Sequence, residues 1–356
     1  MKLLFSYDIF YQQKYGGISS YFANLAKEFI IKEKDIKISC KLHKNFNLQN
    51  LNPLVDGYKI NYPYLLNNVV GKVNNYFFQK DIKKIKPDII HFTYFNNNFN
   101  KVKNKKKIIN CWDLTHENYN KQSELNNLKR INFLEADSII CPSFTVKKDL
   151  LNYYKISDDK VQVTYFSSDF EIEQNKKKKF QNYILYVGSR SDYKNFEKFI
   201  ESFSLSEKLK KDFNLIIFGG ESPKINGLDI LKKYKIKKNK FKFINGTNNE
   251  LKYYYKNVRL FVYPSRYEGF GIPLVESMRL GCPIISSDGG ALKEVGGNGI
   301  TYFNPDDSED IKFKLENYIY DESKLNDCIN YGYKQCKKYS WEKCAKETYN
   351  IYGNLS

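Results

Sequence analysis

The stretch RYEGFGIPLVES (266–277) sets two carboxylates, Glu268 and Glu276, eight positions apart around a Gly-x-Gly-x-Pro turn. The run before it, LFVYPS (260–265), reads as a buried strand, and PLVESMRLG (273–281) as a short helix. A strand that breaks at glycines and re-enters a helix behind proline leaves backbone N–H groups unpaired and aimed outward. Such a start suits an anionic ligand, usually a phosphate. Glu268 falls on the loop and Glu276 one turn into the helix, so both can face one pocket. Carboxylates beside a phosphate repel it unless they bind something else, and sugar or ribose hydroxyls are the natural partners. A plain surface loop, with one Glu in solvent and the other capping the helix, is the alternative that pattern alone leaves open.

Outward from this stretch, strand-like and helix-like segments alternate along the whole chain. KLLFSYDIF (2–10) reads as a strand and YGGISSYFANLAKEFI as a helix. KISCKL, a helix ending near Lys86, DIIHFTYF (88–95), KIINCWDL (107–114), the helix LKRINFLEA, SIICPS and VQVTYF (161–166) follow. A second series starts after the lysine-rich EIEQNKKKKFQ with YILYVGSR (183–190), the helix NFEKFIESF, NLIIFGG (214–220), a helix up to about 237, and KFKFING. The opening stretch, PIISSDGGALKEV and closing helices complete it. Two such series predict an α/β chain of two Rossmann-like doubly wound domains. The boundaries expected are 1–168 and 169–339, with a helix at 340–356 packing back on the first domain. Ligands in such sheets bind at the carboxyl ends of strands. The loops GGISS, WDLTHE, GSRSDYKN, GGESP and RYEGFG all fall there. Two domains facing a central cleft would bring all five together.

At 356 residues, with 42% hydrophobic content, the chain can build two real cores. Its net charge of +18 comes mostly from lysine, in runs such as KVKNKKK (101–107), KKKK (176–179) and KKYKIKKNK (232–240). That charge fits either an anionic membrane face or nucleic acid, or a codon bias toward Lys, Asn, Ile and Tyr. No zinc, helix-turn-helix or RNP-type motif accompanies it, so no nucleic-acid partner is expected. Seven scattered cysteines with no C-x-x-C pair suggest reduced, buried thiols and a cytoplasmic protein. With no signal peptide and no 18-residue apolar span, the expectation is a soluble chain, at most peripheral to a membrane's inner face.

The chain resembles the retaining GT-B glycosyltransferases of family 4 (glycosyl transferases group 1), and among them mannosyltransferase-type enzymes of surface polysaccharide synthesis. YGGISSYFANLAKEF, KPDIIHFTYF, ADSIICPSFTVKKDLL, YVGSRSDYKNFEKFI, the 264–305 block and YSWEKCAKET carry the resemblance in order. It implies that the loop of Glu268, Gly269, Phe270, Gly271 and Ile272 contacts the donor sugar, and that Glu276 holds the nucleotide ribose. Arg190 and Lys194 match the basic pair on the donor diphosphate, where fixed cations stabilise charge on the leaving group. Gly16 and Gly17 match the loop that approaches the diphosphate closely. A plain tight turn explains the two glycines equally well, and a solvated pair remains the alternative for the two cations. The base is expected near FINGTNNE (243–250), on backbone groups of Gly246 and Thr247.

Two departures stand out. Trp112-Asp113 replaces the family's His-Asp or Tyr-Asp, so the histidine's role does not carry over to Trp112. His116 matches the later histidine of the Tyr-Asp-x-x-His-Glu form and is the candidate for the acceptor side. VTYFSSD (163–169) has Ser167 where a glycine is usual. His43 reads as solvated, and His91 as satisfying a backbone carbonyl. Three dispersed histidines make no metal site, so metal-independent chemistry without cofactor is expected, and the resemblance implies a same-face transfer. The resemblance implies GDP-mannose as the donor, with a UDP-hexose second. The acceptor would be an oligosaccharide or lipid-linked glycan. A sugar-nucleotide epimerase, a phosphorylase and a basic nucleic-acid- or glycan-binding protein are the other classes. Oligomeric state is not readable.

Overall fold

The computed structural model describes residues 1–51, 54–119, 124–173, 180–190, 192–220 and 226–355. The lysine run 176–179 and residues 221–223 of the GGESP loop lie outside the described residues. The chain forms two compact units, Met1–Phe166 with Ser340–Ser356, and Ser167–Tyr339.

The first unit is built on β1 (Lys2–Phe5), β2 (Asp35–Ile38), β3 (Leu42–His43), β4 (Tyr58–Lys59), β5 (Ile89–Phe92), β6 (Lys106–Asn110), β7 (Ser138–Cys141) and β8 (Val161–Val163). Six of these make one parallel sheet in the order β2-β1-β5-β6-β7-β8, and β3 and β4 form a separate short ladder. β5 and β7 are buried at every residue, as expected where helices cover both faces of a parallel sheet. The first strand is shorter than its apolar pattern suggests. It stops at Phe5, and Asp8–Gln12 forms a helix of its own, so the GGISS segment follows that helix rather than the strand. The turn is fixed by Ser6 and Thr93: the Thr93 amide donates to Ser6 Oγ at 2.9 Å, and the Ile9 amide to Thr93 Oγ1 at 3.1 Å.

Two histidines behave differently from expectation. His43 lies buried on β3 instead of in solvent, and burial lowers its pKa. His91 is bound by side chains, not by a backbone carbonyl. Its Nδ1 lies 2.6 Å from the Tyr352 hydroxyl and its Nε2 2.6 Å from Asn110 Oδ1. Burial pushes its pKa down to about 3, which makes it a neutral structural group. Through Tyr352 it ties β5 to the C-terminal helix Trp341–Gly353, which also stacks edge-on against Phe29 through Tyr349. Trp112 likewise packs in an aromatic cluster, 4.7 Å from Tyr21 and 6.2 Å from Phe166. All seven cysteines are free and buried.

The second unit carries β9 (Gln181–Val187), β10 (Asn214–Phe218), β11 (Phe241–Ile244), β12 (Val258–Tyr263), β13 (Ile284–Ser287) and β14 (Thr301–Phe303). All are parallel, in the order β11-β10-β9-β12-β13-β14. Its core joins Ile184, Tyr186, Leu215, Ile217, Leu260 and Val262 of the central strands to Phe199, Phe203, Ile311 and Leu315 of the covering helices. The chain runs outward from β9 through β10 to β11, then returns to the other side of β9 at β12. Strand order therefore reverses between β9 and β12, and the loops leaving their carboxyl ends diverge to open a crevice.

Candidate functional site

The loop after β9 carries Arg190 and Lys194, and the loop after β12 carries Glu268, so the reversal point collects three of the expected site residues. Three independent ties stitch these loops together. The Arg266 amide donates to Tyr193 O at 2.7 Å. Asn195, buried and held at φ 57°, donates from Nδ2 to Pro264 O at 3.0 Å and to Pro305 O at 2.6 Å. Lys194 Nζ lies 2.6 Å from Glu268 Oε1, with the two side chains 18% and 13% exposed. Asn195 tolerates the left-handed conformation because its short amide bonds locally, which a bulkier residue could not do. From below, the buried Tyr186 donates its hydroxyl to Ser189 O at 2.5 Å, bracing the start of the β9 loop.

Arg190 turns toward the other side of β9. Its Nη1 donates to Gly219 O at 3.1 Å, and its guanidinium sits 5.2 Å from the centre of the Phe243 ring. Room for it is made by glycine: a Cβ on Gly220, where φ is +78°, would lie 3.0 Å from Arg190 Nη1. Lys194 and Glu268 thus meet directly, while Arg190 is anchored on the β10 and β11 side. The planar guanidinium and the point-charge ammonium are held on opposite sides of β9, each engaged by an oxygen of the protein itself.

Behind Glu268 lies a feature the sequence displayed without assigning, Gly289-Gly290 at the end of β13. A Cβ on Gly289 would stand 2.3 Å from Arg266 O, and one on Gly290, at φ +61°, 2.4 Å from Glu268 O. The Ala291 amide donates to Glu268 O at 2.8 Å. The two backbones touch so closely that no side chain fits between them. The Gly-Gly pair in PIISSDGGALKEV was the available signal. Tyr263 closes the floor. It is buried, its ring centre lies 6.0 Å from Lys194 Nζ, and burial together with the Glu268 charge raises its pKa.

Gly269, Phe270 and Gly271 are all buried, and Phe270 meets Tyr339 edge-on at 5.6 Å. Gly271, at φ 94°, ends the loop and caps the helix Ile272–Arg279, with Pro273 in its first turn. Its carbonyl accepts the Leu274 amide at 2.9 Å. Glu276, half-buried in the middle of this helix, accepts a 3.1 Å hydrogen bond from the Tyr255 hydroxyl. Burial raises its carboxyl to about 7, and the Tyr255 bond only partly offsets this.

At the expected base site, Thr247 caps the helix Asn248–Asn257 in a reciprocal box with Glu250. Its amide donates to Glu250 Oε2 at 2.8 Å, and its carbonyl accepts the Leu251 amide at 3.0 Å. Both backbone groups of Thr247 are therefore engaged within the helix start, while Gly246 before it is exposed.

In the first unit, Gly16 and Gly17 open the helix Gly17–Ile31, with Gly16 extended at φ 173°. A Cβ on Gly16 would meet the Gln13 side chain. His116 is exposed on the short helix Thr115–Tyr119, and Asp113 Oδ1 accepts the Thr115 amide at 2.9 Å. Its neighbour Glu117, which sequence reasoning passed over, is buried against Lys129 Nζ at 3.0 Å and Tyr154 Oη at 2.5 Å. A buried pair with this extra bond fixes the helix that presents His116.

Comparison with known proteins agrees with this architecture. Residues 15–166 match the model described as Glycosyltransferase Family 4, and residues 167–335 that described as Glycosyl transferases group 1. The O-antigen chain mannosyltransferase RfbU of Salmonella typhimurium is 34% identical over 195 residues, 53% of each chain. The O-antigen chain mannosyltransferase B of Escherichia coli is 30% identical over 175 residues, 49% of this chain and 46% of that one. The matched region thus spans about half the length of these relatives. Among solved structures, the sucrose-phosphate synthase of Thermosynechococcus elongatus superposes with a TM-score of 0.76 at 17% identity, covering 99% of this chain and 98% of that one. Two parallel-sheet α/β domains of the GT-B class, with consecutive family matches running from residue 15 to 335, mean that the chain belongs to the glycosyl transferases group 1, family 4 glycosyltransferases.

Proposed function

We propose that this chain is a retaining glycosyltransferase that moves a hexosyl group, mannose first, from a nucleoside diphosphate sugar to an acceptor sugar hydroxyl in glycan or surface polysaccharide synthesis. The observation that carries the reading is the Lys194–Glu268 contact across the strand-order reversal, at 2.6 Å. A cation suited to a departing phosphate and a carboxylate suited to sugar hydroxyls are held side by side, which is what a bond between sugar and phosphate requires of its surroundings. In this scheme Arg190 and Lys194 take up the charge that grows on the leaving diphosphate, and Glu268 orients the sugar. Glu276 takes the ribose hydroxyls, and Gly246 lies near the base. The acceptor proton passes to the leaving phosphate oxygen on the same face of the sugar; by the family resemblance Gly16 and Gly17 are assigned to the diphosphate and His116 to the acceptor. The scheme uses neither metal nor cofactor: Arg190 and Lys194 are assigned the positive charge that a divalent ion supplies in other transferases.

The O-antigen mannosyltransferase relatives support GDP-mannose as donor, and a UDP-hexose is the second choice. The acceptor is an oligosaccharide or lipid-linked glycan, met in the cytoplasm or at the inner membrane face. Nucleotide release from GDP-mannose, measured with and without a mannose-terminated acceptor, tests the proposal, with a UDP-hexose panel run in parallel. Release that requires the acceptor, with the anomeric configuration kept, is the expected result. An epimerised sugar released without acceptor, or inverted product, would overturn it.

A further inference from the structure

We propose that one face of the first unit docks on an anionic phospholipid bilayer through the segment Tyr58–Lys86. Six of the chain's large exposed apolar side chains fall within nineteen residues of it: Tyr58, Tyr64, Leu65, Leu66, Val69 and Tyr76. Tyr64 and Leu65, at the turn that leads into the helix Asn67–Ile85, are 83% and 88% exposed, so they stand clear of the fold with no apolar neighbour to cover them.

The helix itself is turned so that its buried side is Val70, Asn74 and Phe78. Asn74 faces inward because its amide bonds both backbone groups of Leu42, at 2.8 Å each. The opposite stripe is Val69, Lys72, Tyr76, Lys80 and Lys83, at helical spacing and all exposed. A solvent-facing stripe that mixes valine and tyrosine with lysine is costly in water, yet suits an interface where apolar groups enter and ammonium groups stay at the headgroups.

Charge decides the kind of partner. Tyr58–Lys86 holds six lysines and one acidic residue, Asp81, and Asp81 is turned inward to accept the Ser39 hydroxyl at 2.6 Å. The stripe is therefore basic without an acid of its own to neutralise it. Lys80 Nζ lies 4.5 Å above the Tyr76 ring, which sets cation and aromatic side by side along the stripe, whereas Lys41, 5.0 Å above Tyr58, is ion-paired with Asp56 at 3.4 Å. No described helix is long and apolar enough to cross a membrane, so the contact is peripheral. The proposal extends the reading of the acceptor as a lipid-linked glycan.

Co-sedimentation with phosphatidylcholine–phosphatidylglycerol vesicles, against pure phosphatidylcholine, tests it without reference to turnover. Wild-type protein is expected on the anionic vesicles and not on the neutral ones. Each lysine at such a surface contributes about fivefold in partitioning, so Lys72→Glu with Lys80→Glu cuts binding by at least about thirtyfold. Leu65→Ser with Leu66→Ser cuts it by about tenfold or more. Lys235→Glu with Lys237→Glu in the second unit leaves it unchanged. All four positions on the docking face are exposed, and unchanged thermal unfolding confirms that the variants fold. Equal binding to neutral vesicles, no binding at all, or insensitivity to both double substitutions would overturn the proposal. So would a concentration-dependent dimer dissolved by Leu65→Ser and Leu66→Ser, which would assign the face to a second copy. Failure here leaves acceptor-dependent nucleotide release standing, so the two readings are separable.

Discussion

Replacing Lys194 by alanine separates what this side chain does for the fold from what it does for the chemistry. Lys194 pairs with Glu268 at 2.6 Å, both side chains being mostly but not wholly buried. Exposed pairs contribute about 0–1 kcal/mol, and stripping one partner from a fully buried pair costs about 3–5 kcal/mol. The intermediate burial of Lys194–Glu268 places the cost at about 1–2 kcal/mol. For a unit of this size that lowers the melting temperature by roughly 2–8 °C, readable by calorimetry. Glu268→Gln leaves the Lys194 ammonium without its counter-charge, but the amide oxygen still accepts a hydrogen bond from Nζ, so its stability cost is smaller.

The kinetic effect is of another order. A fixed cation at the leaving diphosphate matters most when charge builds there, so the Lys194→Ala loss falls on kcat. Turnover at saturating donor drops by about 10²–10³. KM for the donor should change little, because in the proposed scheme Arg190 also grips the diphosphate. Acceptor-dependent nucleotide release, followed over a donor titration, separates the two parameters. A Lys194→Ala protein that melts several degrees lower yet turns over within about threefold of wild type would refute the electrostatic role. The lysine would then be a structural strap between two loops and nothing more.

Glu276→Gln should flatten the stability of the second unit against pH. The folded carboxyl sits near 7 instead of the ordinary 4.5, so the fold favours its protonated form. That contribution is complete below about 4.5 and is lost as pH rises through about 7, and denaturant midpoints at about pH 5 and pH 8 will show the slope vanish in the variant. Gly290→Ala drives a methyl to 2.4 Å from Glu268 O at φ +61°, neither of which can relax cheaply. Unfolding should become easier by roughly 2–4 kcal/mol, and donor affinity should fall although no side chain that touches donor has been altered. Chelation of divalent ions should leave turnover unchanged. A loss on adding EDTA that magnesium or manganese restores would show that Arg190 and Lys194 do not supply the positive charge by themselves.

Much of this was legible in the chain because it is local. Apolar runs at strand length alternating with helical periodicity announce parallel α/β construction, and glycines with a following proline mark where RYEGFG breaks from β12 and re-enters a helix. Lysine and arginine after β9, and glutamates after β12, could be named from motif alone. Local signals also misled. KLLFSYDIF is mostly apolar, but hydrogen bonds of Ser6 and Ile9 with Thr93, distant in sequence, end the strand at Phe5 and begin a helix. His43 and His91 carry no local sign of burial, since what covers them comes from elsewhere in the chain. Thr247 was named for its backbone groups, and the capping box that engages them was present in the sequence as Thr247 and Glu250.

The sequence by itself determined that there are two doubly wound units, where their ligand-facing loops leave the strands, and which charged residues ride on those loops. Each of these depends on periodicity and turn chemistry within a few residues. Tertiary structure alone decided that the second sheet reverses its order between β9 and β12, which brings Lys194 to Glu268 across 74 positions of chain. It also decided that Tyr255 covers Glu276, and that Gly289 and Gly290 press against the loop from behind. Strand order follows from which crossover packs best over the whole sheet, a choice that the free energy of the assembled core makes and no short stretch of sequence contains.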